Sequence, residues 1–270
     1  MAMAVITDPA MEIVGLCKFF GSIKPSKPNN TALHVLSEYF SESPENTYLI
    51  LHHARKRFSK FFISLRDVED PLLDEAILDL AKTAAQRFTN FTDLRHLGQP
   101  WPNHVKHLSD PQSWASIMAV SMVYRRHYPI KKLSDEEITQ IQEKISDDAI
   151  IENVMDAEAP EFLKAAFRET ILHLRVMLRY LPVFGLEELA KIAHDLDWKN
   201  RAVGVADNSY KQTDSYKKVL SAAMIAISIY VVPAEIIDAT EKYVEISEKI
   251  TTRIFNQEAE IKQQLGSEEE

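Results

Sequence analysis

The chain has 270 residues, 46% hydrophobic and 26% charged, a composition that excludes a disordered polymer and suits one large core or two modest ones. Its one cysteine, Cys17, excludes an internal disulfide and a thiolate metal cage, and suits a reducing, cytoplasmic compartment. The net charge of −9 is uneven: residues 1–135 carry 16 basic and 14 acidic side chains and residues 136–270 carry 15 and 26, so the second half repels phosphates and nucleic acid is not its expected partner.

Met1 to Ala10 has no basic region ahead of its apolar residues and does not read as a secretory leader. Residues 11–20 suit a short helix, and residues 21–30, with two prolines, a loop. Thr31 opens a helix to about Phe40. Four prolines then sit where a first helical residue belongs: Ser43-Pro44, Asp70-Pro71, Asp110-Pro111 and Ala159-Pro160. Proline lacks the amide that would be unpaired there, and a preceding Ser or Asp caps the amides that remain. The helix from Pro44 has the stripe Leu51, Ala54, Phe58, Phe61, Phe62 and Leu65. The one from Pro71 has Leu72, Leu73, Ala76, Ile77, Leu80, Ala84 and Phe88.

Residues 92–110, with Gly98, Pro100 and Pro102, read as irregular. Pro111 to His127 is predicted helical, with Trp114, Ile117, Met118, Ser121 and Met122 on one side. Ser134-Asp135-Glu136-Glu137 is a capping box that opens a helix to about Ile145. A short helix around Ala149–Met155, a full one over Pro160–Leu181 and a shorter one over Leu186–Leu196 follow. Residues 197–213 show no periodicity and read as a loop or hinge. Ser215 to Val232 is then a hydrophobic helix, and after Pro233 an amphipathic one runs to about Leu265.

The expected fold is therefore all-α, a bundle of about nine to eleven helices in which a hydrophobic helix precedes a long amphipathic C-terminal one. The expected division is a helical domain over 1–196, a loop over 197–213, a C-terminal helical pair over 214–265 and an acidic tail over 266–270. Within that pair, residues 219–237 hold the uncharged run Val219–Ala234, which suits a buried core helix or a conditional membrane insertion. Ile236, Ala239, Tyr243, Ile246, Ile250, Ile254, Ile261 and Leu265 recur at helical spacing with Glu and Lys between them, as a coiled-coil-like interaction face would.

Three other patterns bear on chemistry. His52, Lys56 and Lys60 with His53 and Arg57 make a basic side of the Pro44 helix, which suits phosphate contact or plain solvation. His104 and His107 are metal-capable, but only Asp110 lies near as a further ligand, so no metal is expected. On the Pro160–Leu181 helix, Arg168 and His173 resemble the Arg-x4-His signature of HEPN ribonucleases, a family of helical bundles. That resemblance implies a metal-free cleavage of RNA in which Arg168 and His173 meet across a dimer and act on the ribose 2′-hydroxyl. The family prefers a small polar residue after the arginine, where this chain has Glu169.

Walker-type phosphate loops, dinucleotide Gly-x-Gly-x-x-Gly motifs and Gly-x-Ser-x-Gly elbows are absent from the sequence, so no cofactor is expected. The leading expectation is a non-catalytic helical interaction protein that forms homo-oligomers or binds protein partners through Ile236, Tyr243, Ile246, Ile250, Ile254 and Ile261. The alternatives are the ribonuclease of Arg168 and His173, and a membrane effector acting through residues 219–237.

Overall fold

Proline and aspartate set the first helix boundary. Asp8 precedes Pro9 in extended backbone, and one of its oxygens accepts from the amides of Ala10 at 2.9 Å and Met11 at 3.0 Å. Those amides have no helical acceptor, so the carboxylate caps them. The same device recurs at Ser43-Pro44 and Asp110-Pro111. The computed structural model describes residues 6–67, 73–106, 108 and 110–230, and it is mostly helical, with 13 helices and almost no strand.

The chain divides into two compact units, Met1–Lys132 with Arg179–Glu188, and Leu133–Leu178 with Leu189–Glu270. The first holds α1 (Pro9–Ser22), α2 (Ala32–Phe40), α3 (Pro44–Ser64), α4 (Glu75–Phe91), the five-residue α5 (Trp101–Val105), α6 (Pro111–His127) and the one-turn α10 (Leu181–Phe184). Helix α6 packs on α1 and α4, and α3 packs on α1, α2 and α4, around a core that includes Phe20, Phe58, Phe88 and Phe91. Strands β1 (Ile6–Thr7) and β2 (Ile130–Lys131) form a two-residue antiparallel pair, with Ile6 opposite Lys131. The second carboxylate oxygen of buried Asp8 accepts from Ser121 Oγ at 2.6 Å and Arg125 Nε at 3.0 Å, which ties the start of α1 to α6.

The second unit holds α7 (Asp135–Ile145), α8 (Ala149–Asp156), α12 (Asn208–Lys211), α13 (Asp214–Ile227) and most of α9 (Glu161–Arg179) and α11 (Leu186–Ala206). The Ser134–Glu137 capping box forms as the sequence predicts. Helix α13 packs on α7 and α8 and buries Tyr216, Val219, Ala222, Ala223 and Ala226. Arg175 of α9 donates to the carbonyls of Ile145 at 2.7 Å and Asp147 at 3.1 Å and to Asp148 Oδ1 at 2.7 Å, covering the C-terminal carbonyls of α7.

Several expectations change. Residues 197–213 are not a loop, because α11 continues to Ala206 and α12 follows two residues later. The periodicity is hidden there because the inward positions hold small or polar residues, Asn200, Ala202, Val203 and Gly204. Asn200 is fully buried yet satisfied: Tyr210 Oη donates to its Oδ1 at 2.7 Å, and its Nδ2 donates to the Tyr216 carbonyl at 3.1 Å. The hydrophobic helix expected over Ser215–Val232 ends at Ile227, where Ser228 caps it. It belongs to the second unit rather than to a separate C-terminal pair.

The segment 92–110 is partly ordered into α5, whose Trp101 is buried and donates from Nε1 to the Ile23 carbonyl at 3.1 Å. On α6 the buried side is Ile117, Val120, Ser121 and Tyr124, which leaves Met118 and Met122 exposed. Leu80 of α4 is exposed as well. Apolar residues lie on two sides of α6, so periodicity alone selects the wrong phase. The helices beyond the expected nine to eleven are explained by α5, α10 and α12, each too short to show a period.

Candidate functional site

Helix α3 places its basic side against the returning segment 179–188 of its own unit. Arg57 Nη1 donates to the carbonyls of Pro182 at 2.8 Å and Val183 at 3.0 Å, and Nη2 donates to Glu12 Oε2 at 3.0 Å. That Glu12 oxygen also accepts from the Leu186 amide at 3.4 Å. Burial pushes the Glu12 carboxyl above its ordinary range, and Arg57 opposes the rise. Lys60 pairs with Glu187 at 2.8 Å, and the His53 ring lies 4.4 Å from that of Phe184. The basic side of α3 is thus divided: Arg57 and His53 hold a segment of the protein itself and Lys60 pairs with Glu187, while His52 and Lys56 stay exposed. Gly185 closes this latch at φ +82°, ψ 166°, and a Cβ there would lie 2.5 Å from Arg57 Cζ. Cys17 is buried, its thiol pushed up by desolvation, and so is unsuited to act as a nucleophile.

His104, one of the metal-capable pair, is fully buried, with its ring 4.5 Å from that of Phe91 and 6.2 Å from that of Trp101. His107 lies outside the described residues. Asp110 accepts from the Gln112 amide at 3.1 Å and from Ser113 Oγ at 2.7 Å, and pairs with Arg87 at 3.1 Å. Its first commitment, to Ser113, holds its carboxyl below the usual range. Among the described residues, no group of three or more His, Cys, Asp or Glu side chains could hold a metal ion.

In the second unit a polar group gathers between α9 and α11. Lys199 Nζ lies 2.6 Å from both Thr170 Oγ1 and Asp195 Oδ2, and Thr170 Oγ1 also donates to the Ala166 carbonyl at 2.9 Å. The carboxylate of Asp195 and the hydroxyl of Thr170 both engage the Lys199 ammonium of α11. On the same helix Arg201 Nε bonds Asp197 Oδ2 at 2.9 Å. The contacts to Thr170 join α11 to α9, while the Arg201–Asp197 and Lys199–Asp195 pairs lie within α11.

Arg168 and His173 both lie on α9 and both are exposed. Five residues apart on a helix, they point about 140° away from each other, so one copy of the chain does not bring them together. Between them run the other outward residues of α9, including Phe162, Leu172 and Val176 at 66%, 42% and 46% exposure. Periodicity signals this strip only weakly, because the inward face of the same helix is apolar too.

The interaction residues Ile236, Tyr243, Ile246, Ile250, Ile254 and Ile261 lie outside the described residues, as do residues 231–237 of the hydrophobic run. No described helix is long and apolar enough to cross a membrane. Comparison with known protein families, with curated proteins and with solved structures finds no match.

Proposed function

We propose that this chain is a non-catalytic helical bundle protein that assembles with copies of itself through its C-terminal region. The observation that carries the reading is the two-sidedness of α13. Val219, Ala222, Ala223, Ala226 and, just beyond the helix, Ile229 are buried, while Met224 and Tyr230 stand exposed at the end that leads into the isoleucine stripe. The sequence beyond it holds the apolar, Glu- and Lys-flanked isoleucine stripe, a pattern that helix-to-helix recognition uses. The polar groups that a catalytic reading would recruit support it from the other side. Arg57, Asp110, Lys199 and Asn200 are each engaged in holding helices or segments in place. The buried Cys17 suits a reducing, cytoplasmic setting.

The test is light scattering coupled to size exclusion, on the full chain and on Ile246→Asp with Ile250→Asp. The expected result is a discrete oligomer for the natural sequence and a smaller species of unchanged helicity for the variant. A natural chain that runs as a monomer at all concentrations would overturn the proposal.

A further inference from the structure

Helix α3 presents an exposed face of one charge sign. At 100° per residue, Leu49, His52, Lys60 and Ile63 all lie within about 40° of Lys56 around the helix axis, and all five are exposed. Arg55, also exposed, borders the face. Residues 46–66 hold five lysines and arginines and no acidic residue, so neither Arg55 nor Lys56 has an acid three or four positions away along α3. Lys60 pairs with Glu187, whereas among the described residues Arg55 and Lys56 form no ion pair. Leu49 and Ile63, exposed at 64% and 47%, bound the basic centre at either end, so a helix laid along the face would also withdraw apolar area from water.

The chain itself contains the matching charge. Residues 231–270 carry ten acidic and four basic side chains, so −6 of the net −9 lies there. That segment lies outside the described residues. On the amphipathic helix that the sequence predicts beyond Pro233, Asp238, Glu241, Glu245 and Glu248 recur at 3-4-3 spacing and share an arc of about 80°. The arc is centred about 150° from that of Ala239, Tyr243, Ile246 and Ile250. The acidic row therefore stays available while the isoleucine stripe is engaged. It spans about 15 Å, against about 12 Å for His52 to Lys60, so the two rows match in length as well as in sign. We infer that the exposed basic face of α3 receives the acidic row Asp238–Glu248 of a second copy of this chain. The inference rests on the proposed self-assembly and names a surface on which the C-terminal region docks.

Reciprocal docking, with the C-terminal segment of each copy on α3 of the other, closes a pair about a two-fold axis and gives a discrete species rather than an open chain. The contact is ionic and exposed, so it weakens as salt rises. Single exposed ion pairs contribute little. The row acts through several charges together and is tested by reversing two at a time.

Sedimentation velocity of the full chain across a rising concentration series, at low and raised salt, tests the inference. The face variant is Arg55→Glu with Lys56→Glu, and the row variant is Glu241→Lys with Glu245→Lys. They are run singly, combined in one chain, and as an equimolar mixture, beside Ile246→Asp with Ile250→Asp. Arg55 and Lys56 are exposed, so circular dichroism should report unchanged helicity for the face variant. Each reversal alone should weaken self-association by at least about tenfold. The mixture and the combined variant should both restore it, because each then sets a reversed row against a reversed face. If the single reversals associate like the natural chain, the inference falls. If only the combined variant recovers, the contact lies within one chain and the inference falls as well. A face variant that self-associates normally but no longer co-floats with phosphatidylserine vesicles would assign the face to a lipid surface and overturn it too. Loss in the isoleucine variant with natural behaviour in both reversals keeps the proposed function and overturns this inference. Loss in both reversals with recovery in the mixture, and a natural-like isoleucine variant, supports this inference and removes the isoleucine stripe from the proposed function. A natural chain that stays monomeric overturns both.

Discussion

Replacing Gly185 with alanine perturbs two things at once, and the structure lets them be separated. At φ +82° and ψ 166° the backbone occupies a region that is essentially restricted to glycine, and forcing another residue there costs about 1–3 kcal/mol. The new Cβ would also lie 2.5 Å from Arg57 Cζ, 2.7 Å from Nη2 and 2.8 Å from Nε. Arg57 cannot give way cheaply, because its guanidinium is held by the carbonyls of Pro182 and Val183 and by Glu12. Losing hydrogen bonds to a charged group costs about 1.5–3 kcal/mol. The combined loss is about 3–5 kcal/mol, set by strain plus one displaced contact, which lowers the melting temperature by about 10 °C at roughly 2–4 °C per kcal/mol. The assay is thermal and urea unfolding of the full chain, carried out as a cycle with Arg57→Ala. In the Arg57→Ala background the clash disappears and only the backbone strain remains, so Gly185→Ala should cost about 1–3 kcal/mol there. A Gly185→Ala chain within about 0.5 kcal/mol of the natural one, or an equal cost in both backgrounds, would refute the latch as described.

Asp8→Ala removes the cap of α1 and leaves Ser121 and Arg125 without their shared acceptor, so unfolding should show a loss of about 2–4 kcal/mol, well above that of an ordinary exposed cap. Gly204→Ala would improve helix propensity by about 1 kcal/mol, but its Cβ would lie 2.9 Å from Tyr216 Cε2. Thermal unfolding should therefore report net destabilisation, and a gain in stability would show that the Tyr216 ring moves aside freely. Asp207, bonded by Ser209 Oγ and by the amides of Glu158, Ser209 and Tyr210, has its carboxyl lowered from 3.8 to about 2. Its folded value lies below the unfolded one, so its contribution is present above pH 3.8 and is lost as the pH falls through about 2. Asp207→Asn should flatten that part of the acid-unfolding curve, and a curve parallel to that of the natural chain would count against the linkage.

Local signals made much of the helical skeleton legible. Ser43-Pro44, Asp110-Pro111 and the Ser134–Glu137 box each open a helix where the sequence places it, because capping depends on side chains within a few residues of the amides they satisfy. Arg168 and His173 are on the predicted helix, and the period alone puts them about 140° apart. Sequence reasoning failed where the buried side of a helix carried no large apolar residue, as along Asn200–Gly204, or where two sides were apolar, as on α6 with Met118 and Met122 outward.

By itself the sequence determined the helical class, most helix starts and the absence of nucleotide and hydrolase motifs, since all of these rest on short-range chemistry. Only the tertiary structure decided that Arg57, which reads as one cation in a basic row, is the centre of a latch with partners at Glu12, Pro182 and Val183. Only the structure decided that α9 buries one apolar face and presents another. Both outcomes depend on contacts between residues far apart in the chain, and no local period or cap encodes which distant element will arrive.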